Sequence, residues 1–230
     1  MSVRKVWKLV FALFIAPTIL HADTLTVGNP VTGISLTISD QSLTNLGYNQ
    51  VTAYIDPYQG TLNGNQVLLF CVDPDHFDGS GPYTVNLSPK GAGSSTEQVV
   101  FDGKTPAQAQ NLYGEEAYLA TLLLSTPSSQ TTTQQEIQGA IWQLADSTVT
   151  FPGASGSFNS AVSSYESAAQ SNALTGGFEI ATDTACTTAS NCVNTRQEYL
   201  ILTPEPSSLG MIGVGFLSFL GALKRKRSLI

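Results

Sequence analysis

The stretch NQVLLFCVDP, residues 65–74, decides how the chain is read. Val67 to Val72 is unbroken apolar, which suits a strand buried on both faces, and Pro74 ends it. A strand needs neighbours, and short alternating runs supply them on both sides. DTLTVGNP, GISLTISD and NQVTAYIDPYQG precede it, each with period-two patterning broken by Gly, Asn or Pro. GPYTVNLSPKGAGSS follows as a strand passing into a loop, and GFEIATD and RQEYLILT return to strand patterning near the end.

Helical signals interrupt this series. Thr105 can cap a helix with Pro106 in its first turn, Gly114 marks an interruption, and a second stretch runs from Glu115 to Ser125 before Pro127. Glu115 and Glu116 then fall at a helix start, where acids suit the dipole, and read as structural. Thr133-Gln134-Gln135-Glu136 fits a reciprocal capping box, predicting a helix from near Gln134 to about Asp146. Phe158, Val162, Tyr165 and Ala169 line one face of a third helix. The expected fold class is α+β: a single β-rich domain, sandwich- or barrel-like, with a helical block inserted over about 105–173.

Both ends carry addresses. Residues 1–22 read as a signal peptide: Arg4, Lys5 and Lys8, then an apolar run from Val10 to Leu20, then Ala22 for cleavage. At the other end Pro204-Glu205-Pro206 precedes a largely apolar stretch of fifteen residues, Leu209 to Leu223, and the basic cluster Lys224-Arg225-Lys226-Arg227. The apolar part forms a short transmembrane segment whose basic end stays cytoplasmic. In this order the three parts of residues 204–230 resemble the PEP-CTERM sorting signal of Gram-negative bacteria. That resemblance implies recognition by an exosortase-type processing enzyme, transient inner-membrane anchoring, and release to the surface or an exopolysaccharide matrix.

The remaining segment, residues 23–203, has the size of one ordinary domain. Lys90, Lys104 and Arg196 face sixteen acids there, a net of −13. Such a surface repels polyphosphates and excludes nucleic-acid binding.

In an oxidising compartment the cysteines sort themselves. Cys186 and Cys192 enclose TTASN, a short loop that a disulfide can close. Cys71 is left outside that pair, as an inert core residue or as a thiol kept for chemistry. On the helix around Gln138, Ile137, Ala140, Ile141 and Leu144 trace the apolar stripe, and Trp142 falls one turn beyond Gln138. A glutamine beside that stripe must hydrogen-bond or be chemically altered. A Cys71 thiolate attacking the Gln138 carboxamide would expel ammonia and leave a neutral internal thioester.

FCVD at 70–73 and IQGAIW at 137–142 resemble the motifs of bacterial thioester-domain surface adhesins. The resemblance implies a Cys71–Gln138 thioester, with Phe70, Ile137, Ile141 and Trp142 around it, on a β-rich core with a helical subdomain. It also implies covalent attachment to a surface amine or hydroxyl on protein or polysaccharide. Ile137 stands where that family often has threonine, and the C-terminal tail is not a wall anchor.

Water would be kept from such a bond by Trp142, Phe70, Tyr113 and Tyr118. Asp73 and His76 can assist its formation or serve only as turn residues. The acids of CVDPDHFDG lack the spacing of a calcium loop, and His76 has no evident orienting group for a hydrolase. No catalytic residue, metal or cofactor is expected, and the protein is not expected to be an enzyme. The alternative function is a non-reactive structural or exopolysaccharide-associated matrix protein with Cys71 simply buried.

Overall fold

The computed structural model describes residues 22–203, except 32, 46, 56, 77–80, 93–96, 102, 189–191 and 193–195. The expected signal peptide, apart from Ala22, and the whole sorting tail with Pro204, Glu205 and Pro206 lie outside the described residues. Among the described residues, no helix is long and apolar enough to cross a membrane.

Six of the runs with strand patterning close on themselves. β1 (Asp23–Pro30), β4 (Tyr58–Leu62), β5 (Asn65–Cys71), β8 (Tyr199–Leu202), β7 (Phe178–Asp183) and β6 (Tyr83–Pro89) follow one another around a closed barrel. All six pairings are antiparallel, and the β1–β6 pair completes the circle. Closure leaves the barrel itself, among the described residues, without an unpaired edge. β2 (Ser35–Ile38) and β3 (Val51–Tyr54) form a separate two-stranded sheet, with the short α1 (Gln41–Asn45) between them. The fold is therefore α+β and β-rich, with a barrel core.

The helical block enters between β6 and β7. It comprises α2 (Gln98–Phe101), α3 (Pro106–Ser125), α4 (Thr131–Ala145) and α5 (Gly156–Asn172). α3 packs against α4, α5 and strand β8, so the block leans on the barrel at the strand next to β5. Thr105 caps α3 as its sequence indicates, with a reciprocal box to Gln108 and Pro106 in the first turn. Along α5, Phe158, Val162 and Ala169 are buried and Tyr165 is half-buried.

Three expectations are corrected. Gly114 does not interrupt α3, which runs unbroken for 20 residues. The glycine serves a close approach instead: a Cβ there would lie 2.5 Å from the Leu174 carbonyl oxygen. Glu115 and Glu116 therefore sit inside the helix rather than at its start, and both are buried. Second, the box at Thr133 is not used. α4 begins at Thr131 behind Gln130, and the Gln134 and Gln135 side chains are committed to the Thr126 and Ser35 carbonyls. Third, β5 is not buried on both faces throughout. Its first half lies against β4 with an outer face in solvent, Leu68 being 37% exposed. Only Leu69, Phe70 and Cys71, where β8 pairs, are fully covered.

Gly→Ala inside an exposed helix ordinarily adds about 1 kcal/mol of stability. Gly114→Ala should instead cost roughly 1–3 kcal/mol, because the methyl meets backbone rather than a yielding side chain. Urea unfolding measures it, and a higher midpoint would show that the approach is not needed.

Candidate functional site

Cys71 is the last residue of β5 and sits opposite Tyr199 of β8. That register brings three segments to one buried sulfur: the loop after β5, the residues leading into β8, and the inner face of α4. Cys71 and Gln138 are 2% and 1% exposed.

The Gln138 Nε2 donates to the Cys71 carbonyl oxygen at 2.8 Å, so the carboxamide lies against the cysteine across 67 residues of sequence. Trp142 Nε1, one turn further along α4, donates to Cys71 Sγ at 3.1 Å. The thiol itself points to the Asp73 carbonyl oxygen at 3.6 Å. Phe70, Ile137, Ile141 and Trp142 are all buried in the same core as Cys71. Thus Cys71, Gln138 and Trp142 meet directly, with the three apolar residues in the surrounding core.

Gln197, which the sequence does not single out, also reaches the sulfur. Its Nε2 lies 2.6 Å from Cys71 Sγ and 2.8 Å from the Asp73 carbonyl oxygen, and its Oε1 accepts from the Tyr199 hydroxyl at 2.8 Å. No local signal marks it, because in RQEYLILT it lies between the charged residues Arg196 and Glu198, ahead of the apolar part of the strand.

The loop after β5 is held by polar bonds on every side. Asp73 Oδ1 accepts from the Asp75 amide at 3.0 Å, and Oδ2 takes the Glu198 amide at 3.3 Å and His76 Nδ1 at 2.6 Å. Burial works to lower the His76 pKa. The charge of Asp73 and its hydrogen bond, with Asp75 and a backbone hydrogen bond at Cys192, outweigh burial and raise it to about 9. His76 is thus a held cation at neutral pH. Through Cys192 it ties the Cys71 loop to the loop closed by the Cys186–Cys192 disulfide.

Acids crowd the same region. Asp40, Asp75 and Asp146 bring carboxylate atoms within 4.8 Å of one another. Burial first, then the charges of Asp73, Asp146 and Asp40, push Asp75 up to about 8. Glu198 is also raised to about 8 by burial, against hydrogen bonds from Thr182 and Tyr113. Tyr113 is therefore committed to Glu198. Tyr118 is only half-buried. Glu116 is fully buried with no hydrogen-bond partner for either oxygen among the described residues, and burial holds its pKa well above the usual range.

A cavity of about 220 Å³ leads to the site, between Tyr54, Tyr58, Pro74, His76, Trp142 and Gln197. A roomier groove of about 480 Å³ lies along β1, β4 and β5, but its lining from Thr26 to Leu68 carries no acid, base or thiol.

The family model for the PEP-CTERM protein-sorting motif matches residues 202–227. It supports an exported protein that is processed by exosortase, passing through the membrane on its way to the surface. No curated protein and no solved structure matches the chain.

The titrations have a common sign. Asp75, Glu198 and His76 all hold protons more tightly folded than their ordinary values allow, so the folded state binds more protons than the unfolded chain. Stability must then fall as pH rises from about 4 to about 9. Thermal unfolding should occur several degrees lower near pH 9 than near pH 5. The opposite order would mean these groups are not held protonated.

Proposed function

We propose that the exported protein carries an internal thioester between Cys71 and Gln138 and uses it once, for covalent attachment to an amine or hydroxyl at the surface. One observation carries the reading: the buried Gln138 carboxamide rests on the buried Cys71, under an indole that donates to the sulfur. An inert core cysteine behaves as a small hydrophobe and needs no such polar company.

The chemistry balances within the site. Cys71 sulfur attacks the Gln138 carboxamide carbon, an S–C bond forms, and the C–N bond breaks. The thiol proton joins the departing nitrogen, which leaves as ammonia. A later nucleophile adds to the same carbonyl carbon, the C–S bond breaks, and the nucleophile's proton ends on the Cys71 thiol. The result is an amide or ester, and there is no turnover. Water is kept out by burial of Trp142 and Phe70, as storage of an electrophile requires. The cavity beside His76 and Trp142 gives the incoming group its approach. Asp73 and His76 assist by position: as a held cation His76 is not a base, but it fixes the loop whose Asp73 carbonyl faces the thiol.

A second reading is favoured by the hydrogen bonds already made around the sulfur, which leave Cys71 and Gln138 satisfied without reaction. The protein would then be a non-reactive matrix component of the same fold. Intact mass of the exported protein separates the two. The thioester reading predicts one ammonia less than the sequence mass, beyond the hydrogens lost to the disulfide, and addition of methylamine on treatment. Cys71→Ala and Gln138→Ala should each abolish both effects. A full sequence mass with no methylamine uptake rejects the thioester.

His76→Ala should lower the fraction of molecules that lose ammonia. Unchanged occupancy would remove His76 from bond formation.

A further inference from the structure

Of the groups touching the sulfur, Gln197 is the one the attachment chemistry above leaves without a task. Both of its amide hydrogens and its oxygen are committed. One hydrogen goes to the Asp73 carbonyl, one to Cys71 Sγ, and the oxygen takes the Tyr199 hydroxyl. Tyrosine must donate to that oxygen, so the amide cannot turn over without losing the bond. Its nitrogen is thereby aimed at the sulfur before any reaction begins. Tyr199 is itself fixed by β5–β8 pairing and by edge contact with the Tyr58 ring, 6.0 Å between centroids.

We propose that Gln197 is a catalytic residue, forming with Trp142 a two-donor cradle that stabilises negative charge on Cys71 sulfur as the thioester forms and opens. The two donors come from unrelated parts of the chain, α4 and the approach to β8, and converge on one atom at 3.1 and 2.6 Å. This rests on the thioester reading. When a nucleophile adds to the Gln138 carbonyl carbon, the C–S electron pair returns to sulfur, and the charge appears where both N–H groups already point. Neutral thioester sulfur is a weak acceptor, whereas a developing thiolate is a strong one. The bonds therefore strengthen toward the transition state and accelerate the step rather than merely holding the ground state. In the forming direction the same donors stabilise the attacking sulfur while the thiol proton passes to the leaving ammonia.

Tyr199 acts as a positioning residue through Gln197. The test uses the exported protein with Gln197→Met, which keeps the length of the side chain and removes the donors. Thioester-loaded Gln197→Met should react with methylamine about 10- to 100-fold more slowly than wild type. Tyr199→Phe should slow the reaction in the wild-type background, yet add nothing on top of Gln197→Met. Should Gln197→Met fold poorly, Tyr199→Phe alone still decides, because an unchanged rate overturns the cradle. Equal rates for wild type and Gln197→Met also overturn it. So does loss of the ammonia deficit in Gln197→Met with retention in Gln138→Ala, which would make Gln197 the acyl donor.

If wild type carries no thioester, the attachment reading fails and the catalytic role falls with it. Only the contact of Gln197 with the sulfur is then judged, by the infrared S–H stretch of Cys71. The other two cysteines are in the disulfide, so the band has one source. A shift of that band in Gln197→Met upholds the contact, and an unmoved band overturns it.

Discussion

Antiparallel pairing of β5 with β8, which sets Cys71 opposite Tyr199, is the constraint on which the site depends. The barrel can close only if the last strand of the described chain inserts between β5 and β7. That insertion carries Gln197 and Glu198 into the layer beneath the loop after β5. It also gives α3 a surface on which to seat the helical block, and α4 packs on α3. The sulfur is therefore surrounded by groups from three parts of the chain that no local interaction would bring together. Closure of long-range strand pairs is entropically costly before it is rewarded, so the site exists only in the completed fold.

The surroundings of the sulfur are buried but not apolar. Asp73, Glu198 and Gln197 are buried and bonded to one another or to backbone, and His76 is held as a cation between Asp73 and the Cys192 backbone. Inside a protein each of these bonds is stronger than in water and each missing one costs more. A network of this kind fixes geometry tightly around Cys71, as the proposed thioester would require. The disulfide between Cys186 and Cys192 does not touch the sulfur, yet it closes the loop against which His76 is braced.

Local pattern carried much of this into the sequence. Period-two runs marked the strands, Thr105-Pro106 marked the start of α3, and the stripe Ile137, Ala140, Ile141 marked the buried face of α4. Cys71, Gln138 and Trp142 were legible because each is an oddity in its own element: a thiol ending an apolar strand, and a glutamine and indole one turn apart. Gln197 was not, because it reaches the sulfur only through strand register across 126 residues. Gly114 misled for a similar reason, since its meaning lies in the Leu174 carbonyl rather than in helix propensity. The Thr133 box was passed over because α4 starts two residues earlier, at Thr131 behind Gln130, which puts Thr133 inside the first turn.

The sorting motif at residues 202–227 begins at the last residue of β8, so the address adjoins the strand that completes the site. Export delivers the domain to an oxidising exterior, where the disulfide persists. The most direct measurement is a crystal structure of the exported protein at a resolution that separates bonded from non-bonded atoms. Continuous density joining Cys71 Sγ to the Gln138 acyl carbon, with the amide nitrogen gone, is the predicted result. An intact carboxamide still donating to the Cys71 carbonyl, beside a separate sulfur, would contradict the account.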